Sequence, residues 1–396
     1  MQNGCTHSES FRGVPTNALG EQYLALTDNG DGGTSAGQFT LVSTQDNTTV
    51  TITPTASLNK HPAGVPFTIT LNAGEVYNHG SDGNDEVTGS SITANEPIAV
   101  YGSNPYAELP SNVGFVNPLL EELPPVQAWG REYVVAPFAV RTAPDLYRIL
   151  ASADGTQVSV NGTVVAVLNR GQFIDEYLTT AADITATAPI LVGQFSLGAQ
   201  VDNSPVGDPS FLIDPAVEQY RASYTVVNID KPTFTSQFLN LTVPTSGIAG
   251  VIVDGVAVPG TDFQSIAGSI YSFAQVPVTT GLHTVAASVP FGLTVYGMGL
   301  DDMNSFPGGG TLAPINAIAS LALTPKTASG LVGVAAPLTA TVLDSSGNPV
   351  AGVHVDFTVT GANPSSGFAY TDATGVAQFA DTGAVVGINP ARKNRK

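Results

Sequence analysis

Leu71-Asn72-Ala73-Gly74, Leu168-Asn169-Arg170-Gly171 and Ser265-Ile266-Ala267-Gly268 are three versions of one turn, and their glycines stand 97 residues apart at each step along the 396-residue chain. Two other landmarks keep the same order around each turn. Upstream come Gln22-Tyr23-Leu24-Ala25-Leu26, Glu132-Tyr133-Val134-Val135-Ala136 and Ser223-Tyr224-Thr225-Val226-Val227. Downstream come Pro97-Ile98-Ala99-Val100-Tyr101-Gly102, Pro189-Ile190-Leu191-Val192-Gly193 and Pro290-Phe291-Gly292-Leu293-Thr294-Val295-Tyr296-Gly297. A chain built by repeating a module presents surface more readily than it houses one catalytic cleft.

Between the landmarks the sequence reads as strand. Gln157-Val158-Ser159-Val160 alternates polar and apolar, Asn161-Gly162 supplies the two φ > 0 residues of a tight hairpin turn, and Thr163 to Leu168 returns. Val251-Ile252-Val253, Asp254-Gly255 and Val256-Ala257-Val258 do the same in the third repeat. The first repeat keeps strands at Thr49 to Thr53 and Phe67 to Leu71 but joins them by a loop, Pro54 to Pro66. No long apolar pattern at helical spacing occurs. The expected fold is therefore all-β, with three tandem β-sandwich-like repeats of about 97 residues.

The composition narrows the partners. With 32 acidic against 13 basic residues the formal charge is −19, which disfavours nucleic acid and anionic membrane. Hydrophobic content of 42%, with 42 Gly and 28 Pro, describes a folded chain rich in turns. The single cysteine, Cys5, excludes an internal disulfide. No apolar run approaches the roughly 20 residues of a membrane span, and Met1 to Arg12 lacks the apolar stretch of a signal peptide. The expectation is a fragment of a longer exported protein.

Long junctions join the repeats. Tyr106, Phe115, Pro124-Pro125 and the only tryptophan, Trp129, lie between Gly102 and Tyr133; Gly207-Asp208-Pro209-Ser210, Phe211 and Tyr220 lie between Gly193 and Tyr224. Connections of this length are uncommon inside a compact domain. Tyr106, Phe115, Trp129, Phe211 and Tyr220 are the candidate ligand-binding residues, acting as aromatic anchors; in the other reading they fill the junctions between modules.

Signals of catalysis or metal binding are sparse. The five histidines are scattered singly, and neither a zinc-protease helix motif nor a phosphate loop occurs. His283, before Thr284-Val285, reads as a half-buried structural histidine on a strand. Asp28-Asn29-Gly30-Asp31-Gly32-Gly33 places its acids at the first and fourth positions of a would-be calcium loop, with no glutamate at the twelfth, so it reads as a solvated turn. Asp301 and Asp302 beside Asn304 are candidate calcium ligands, to be completed by backbone carbonyls; no other cofactor is expected. Asp208 with Glu218 would serve a glycan hydrolase only if their carboxylates stood about 5 to 9 Å apart in a cleft.

The order Leu123-Pro124-Pro125, Trp129-Gly130-Arg131-Glu132-Tyr133, Gly207-Asp208-Pro209, the repeated Pro-Ile landmark, and Tyr296-Gly297 followed by Asn304-Ser305-Phe306 and Gly308-Gly309-Gly310 resembles the N-terminal domain of the IgGFc-binding protein family over roughly residues 20 to 310. That resemblance implies extracellular placement and an adhesive or binding role, and it carries no binding residue onto this chain. After an Ala-rich linker, Gly347-Asn348-Pro349-Val350-Ala351-Gly352-Val353-His354-Val355-Asp356-Phe357 and Thr371-Asp372-Ala373-Thr374-Gly375 resemble the group 1 bacterial immunoglobulin-like domain of invasin and intimin adhesins. Such a domain needs a final apolar strand after Gly383, whereas this chain ends in Arg392-Lys393-Asn394-Arg395-Lys396; a partial sandwich with one open edge is expected. The chain then divides into an N-terminal segment 1–20, repeats with their junctions at 21–130, 131–222 and 223–310, a linker 311–320 and the partial immunoglobulin-like unit 321–396.

The leading functional expectation is a non-catalytic binding module of a secreted or cell-surface adhesin that contacts an extracellular or cell-surface macromolecule, protein or glycan. The alternatives are a purely structural spacer in a larger surface protein and a β-scaffold hydrolase acting on glycans.

Overall fold

The computed structural model describes residues 7–30, 35–83, 85–111, 113–312, 318–326, 331–344, 347–351, 353–386 and 391–395, with backbone only at 319, 354 and 391–395. Cys5 and the second half of the acidic turn, Asp31 to Gly33, lie outside the described residues. Regular structure among the described residues is strand, punctuated by short 3₁₀ turns.

The first module contains β1 (Gly20–Leu24), β2 (Gln38–Ser43), β3 (Thr48–Thr53), β4 (Phe67–Leu71), β5 (Val76–Gly80), β6 (Ser91–Ala107) and β7 (Asn117–Glu122). The second contains β8 (Glu132–Val135), β9 (Asp145–Ala151), β10 (Thr156–Val160), β11 (Thr163–Leu168), β12 (Phe173–Leu178), β13 (Ala182–Ala186), β14 (Ile190–Ser196) and β15 (Ser210–Ile213). The third contains β16 (Arg221–Asn228), β17 (Phe234–Pro244), β18 (Ile252–Val253), β19 (Val256–Ala257), β20 (Gln264–Ser265), β21 (Tyr271–Pro277), β22 (Gly281–Gly299) and β23 (Asp302–Pro307).

One pairing scheme is common to all three, to which the third adds the short β20 on the outer side of β21. In the second module two four-stranded layers run β11-β10-β13-β8 and β12-β9-β14-β15. In the first, β6 does the work of both β13 and β14: its start pairs with β1 and β3, and its end with β2 and β7. In the third, β22 does so with β16 and β18, then with β17 and β23. The repeated proline, Pro97, Pro189 or Pro290, stands where the chain passes from one layer to the other. Proline has no N–H to give a ladder, so it belongs at such a bend. Gly74, Gly171 and Gly268 sit in the turns just before β5, β12 and β21, at φ of 79°, 77° and 73°, where a side chain would be strained.

The repeated tyrosine explains why two landmarks travel together. Tyr23 Oη accepts from the Gly20 N–H at 2.9 Å and donates to the Ile98 carbonyl at 2.7 Å. Tyr133 accepts from Gly130 and donates to Ile190 at 2.6 Å; Tyr224 accepts from Arg221 and donates to Phe291 at 2.5 Å. Each hydroxyl thus satisfies a backbone N–H at the start of the module and the carbonyl just after the bend proline. Tyr→Phe at position 23, 133 or 224 should cost about 1 to 3 kcal/mol each, because it strands both backbone groups. Denaturant midpoints that stay put for all three variants would show that water replaces the hydroxyl.

A shared entrance precedes each tyrosine: a 3₁₀ turn, Thr16–Ala18, Val126–Ala128 or Val217–Gln219, followed by a buried Leu19, Trp129 or Tyr220. The modules are not independent bodies. Leu146, Leu150, Leu191, Phe195 and Phe211 of the second share one apolar core with Leu26, Phe39 and Leu119 of the first. Phe138 and Leu212 of the second meet Tyr296, Met298 and Met303 of the third.

The C-terminal unit packs β24 (Ile318–Thr324), β25 (Ala335–Asp344) and β28 (Val376–Thr382) against β26 (His354–Val359), β27 (Ser365–Tyr370) and β29 (Ala391–Arg395). Its core includes Leu338, Val342, Val355 and Phe357. The expected open edge is occupied: β29, the basic tail, pairs with Val355–Val359. Ladder hydrogen bonds come from the backbone, and an edge strand accepts charged side chains, so an apolar sequence was not required there. This unit rests on the second module, with the Tyr370 ring 3.7 Å from the Arg170 guanidinium.

Candidate functional site

β7, β15 and β23 come together at the middle of the three sandwiches, and the N-terminal segment runs along them. Asn117 Nδ2 donates to the carbonyls of Ser8, Pro209 and Met303, tying the segment to all three modules. Glu9 accepts from the Phe211 N–H at 3.1 Å and from Ser210 Oγ at 3.2 Å, while Ser210 and Ser305 share a hydrogen bond of 2.6 Å. Asn304 Nδ2 donates to Ser10 Oγ, Arg12 reaches the Gly310 carbonyl, and the Val14 N–H donates to Glu122.

Beside this hub lies a cavity of about 50 Å³ lined by Arg12, Glu121, Asp214 and Gln219 among apolar neighbours. It has room for a few waters and falls well short of the several hundred Å³ of a substrate pocket. Burial pushes the carboxyls of Glu9, Glu121 and Asp214 well above their ordinary range. Glu121 Oε1 and Asp214 Oδ2 lack a hydrogen-bond partner among the described residues.

Arg148 pins the first module to the second. Its Nε and Nη2 grip Asp175 at 2.9 and 2.8 Å, Nη1 reaches Glu86 at 2.7 Å and the Thr27 carbonyl at 2.6 Å, and Asp28 lies 3.2 Å from Nη2. Burial opposes the Arg148 charge, yet its carboxylate partners outweigh that and raise its pKa. Burial likewise pushes Glu86 up, but Arg148 and the hydrogen bonds of Thr27 and Thr88 hold it below its usual value. Asp28, expected in a solvated turn, is thus buried against a guanidinium.

Of the five aromatic candidates, three are interior and cannot touch a partner. Trp129 donates from Nε1 to the Pro124 carbonyl, Phe211 stacks on Phe195 at 4.5 Å, and Tyr220 Oη meets Thr242 Oγ1 at 2.9 Å. All three side chains are buried where the modules join. Tyr106 is exposed and Phe115 half-buried. The calcium candidates do not form an ion cage: Asp302 already faces the Lys231 ammonium and accepts from Ser8, and Asn304 is bonded to Ser10. Among the described residues no group of three His, Cys, Asp or Glu is placed to hold a metal. Asp208 lies 3.6 Å from His7, whereas Glu218 caps the Arg131 N–H at 2.8 Å, so the proposed acid pair has separate surroundings. His283 is buried and structural, held between Asp254 and the Thr279 carbonyl.

The exposed candidates belong to one end of the assembly. There the junction after β6 and the junction after β14 are bonded together, the Gly198 N–H donating to the Leu109 carbonyl at 2.7 Å. Arg141, in the loop between β8 and β9, forks onto Asp202 and also donates to the Leu197 and Gly198 carbonyls, tying its loop to the second junction. Burial raises Asp202, but the Arg141 fork and the Thr142 and Ala143 N–H groups bring it down to about 2. The turn after β22 joins the same end through a bridge between Gly207 and Leu300. Leu300 is 69% exposed, Val140 60%, Tyr106 49% and Val201 38%, an apolar grouping drawn from all three modules. Sequence reading missed Val140, Val201 and Leu300 because single apolar residues in polar loops have no periodicity to mark them.

Residues 9–297 match the family model described as IgGFc binding protein. The chain is also 28% identical over 297 residues to the human (Homo sapiens) IgGFc-binding protein, an alignment that takes in 72% of this chain and 5% of the human one. This chain therefore corresponds to a small part of that relative's length.

Proposed function

Because the chain belongs to the IgGFc-binding protein family, we propose that its three fused sandwiches are an extracellular, non-catalytic binding module for a protein partner, with the C-terminal sandwich as its stalk. The observation that carries this reading is the pair of junction loops bonded into one rigid platform by Gly198, Leu109, Arg141 and Asp202. Loops fixed on a rigid scaffold lose little entropy on binding and are common recognition surfaces. The human relative's name makes an immunoglobulin Fc fragment the first partner to try, and the 28% identity makes it a trial partner only.

The test passes the purified chain over immobilised Fc, the matching Fab, and panels of matrix proteins and glycans. Saturable binding to Fc at about micromolar Kd or tighter, with both proteins chemically unchanged, is expected. No binding to any protein on the panel, or turnover of a glycan, would contradict the proposal. No helix among the described residues is long and apolar enough to cross a membrane.

A further inference from the structure

Resting on that reading, we infer that the loop end carrying Tyr106, Phe115, Val140, Val201 and Leu300 is the recognition surface, and that it takes a basic protein surface with an apolar centre. Three observations carry the assignment. The first is the gathering of exposed apolar side chains from all three modules on loops that are bonded together. Other exposed valines, such as Val164 and Val167, lie on the edge strand β11, whose pairing with β10 is broken by a bulge, a common protection of an edge against a partner.

Charge is the second. Arg141 and Lys231, the cations at this end, are bound to Asp202 and Asp302, while Glu108, Asp230 and Asp301 keep the rim acidic. A second copy of the chain would bring acid against acid, and the formal charge of −19 steers a basic partner toward the molecule. The third is rigidity: the Arg141 fork and the Gly198 bond hold the loops before any partner arrives, so binding need not order them.

The experiment measures Fc binding to the full chain and to Leu300→Asp, Val201→Asp, Glu108→Lys and, as a control on β11, Val167→Asp. All four positions are at least partly exposed, and thermal melts verify that each variant is folded. Leu300→Asp and Val201→Asp should each weaken binding roughly tenfold or more. Glu108→Lys should slow association and reduce its salt dependence, and Val167→Asp should bind as the parent does. If the parent binds Fc but only Val167→Asp loses affinity, the surface assignment is wrong while the functional reading stands. If the parent binds no protein, both fall. A dimer in sedimentation that Leu300→Asp dissolves would identify a second copy as the occupant and overturn the basic partner.

Discussion

Replacing Arg148 by Met should lower the melting temperature of the sandwich assembly by about 10 °C. Arg148 is buried, and its loss leaves Asp28, Glu86 and Asp175 close together with no cation between the first and second modules. Breaking a buried ion pair from one side costs about 3 to 5 kcal/mol, and for a cooperative unit of roughly 200 residues each kcal/mol is worth about 2 to 4 °C. Since those modules share one apolar core, the damage should appear in a single transition. Arg148→Lys should recover only part of the loss, because an ammonium cannot reproduce the fork onto Asp175. A melting temperature unchanged in Arg148→Met would mean that the three carboxylates are solvated.

The protein should be more stable at pH 5 than at pH 8. Burial raises the carboxyls of Glu9, Glu121 and Asp214, takes Asp145 to about 7, and with the help of Asp301 and Asp302 takes Asp208 to about 8. Between the unfolded value near 4 and these folded values, the folded chain holds protons that the unfolded chain has released. Stability therefore falls as pH rises, by up to about 1.4 kcal/mol per pH unit for each such group. Glu86 and Asp202 work the other way: their folded pKa values are depressed, so their contribution is lost as pH falls below about 4. The optimum should lie near pH 4 to 5. Melting scans from pH 3.5 to 8.5 measure this, and scans repeated in about 0.5 M salt remove most of the self-repulsion of a net charge of −19 while leaving the buried groups. Asp208→Asn should flatten the upper part of the slope. A maximum at pH 7 to 8 would contradict the buried, protonated acids.

Much of the fold was legible because backbone requirements repeat. The glycines at 74, 171 and 268 are tied to positive φ, the prolines at 97, 189 and 290 to the bend between layers, and the tyrosines at 23, 133 and 224 to a hydroxyl bridge. A further sign was present and not read: Leu19, Trp129 and Tyr220 each stand four residues before such a tyrosine, which marks them as equivalent and interior. The hub was not legible. Glu9, Asn117 and Ser305 are far apart in sequence and meet only because the last strands of the three modules converge on the N-terminal segment. The loop end was legible only in Tyr106 and Phe115, since exposure depends on how the junctions fold back and aromatic type alone does not determine it.

Hydrogen exchange of the full chain with and without Fc tests the recognition surface most directly. Slower exchange confined to residues 105–111, 113–116, 138–143, 197–208 and 299–302 is expected, with the Thr163–Leu168 edge and the C-terminal sandwich unchanged. Protection appearing instead on that edge or on the C-terminal sandwich, with the junction loops exchanging as before, would contradict a binding module that works through its bonded loop end.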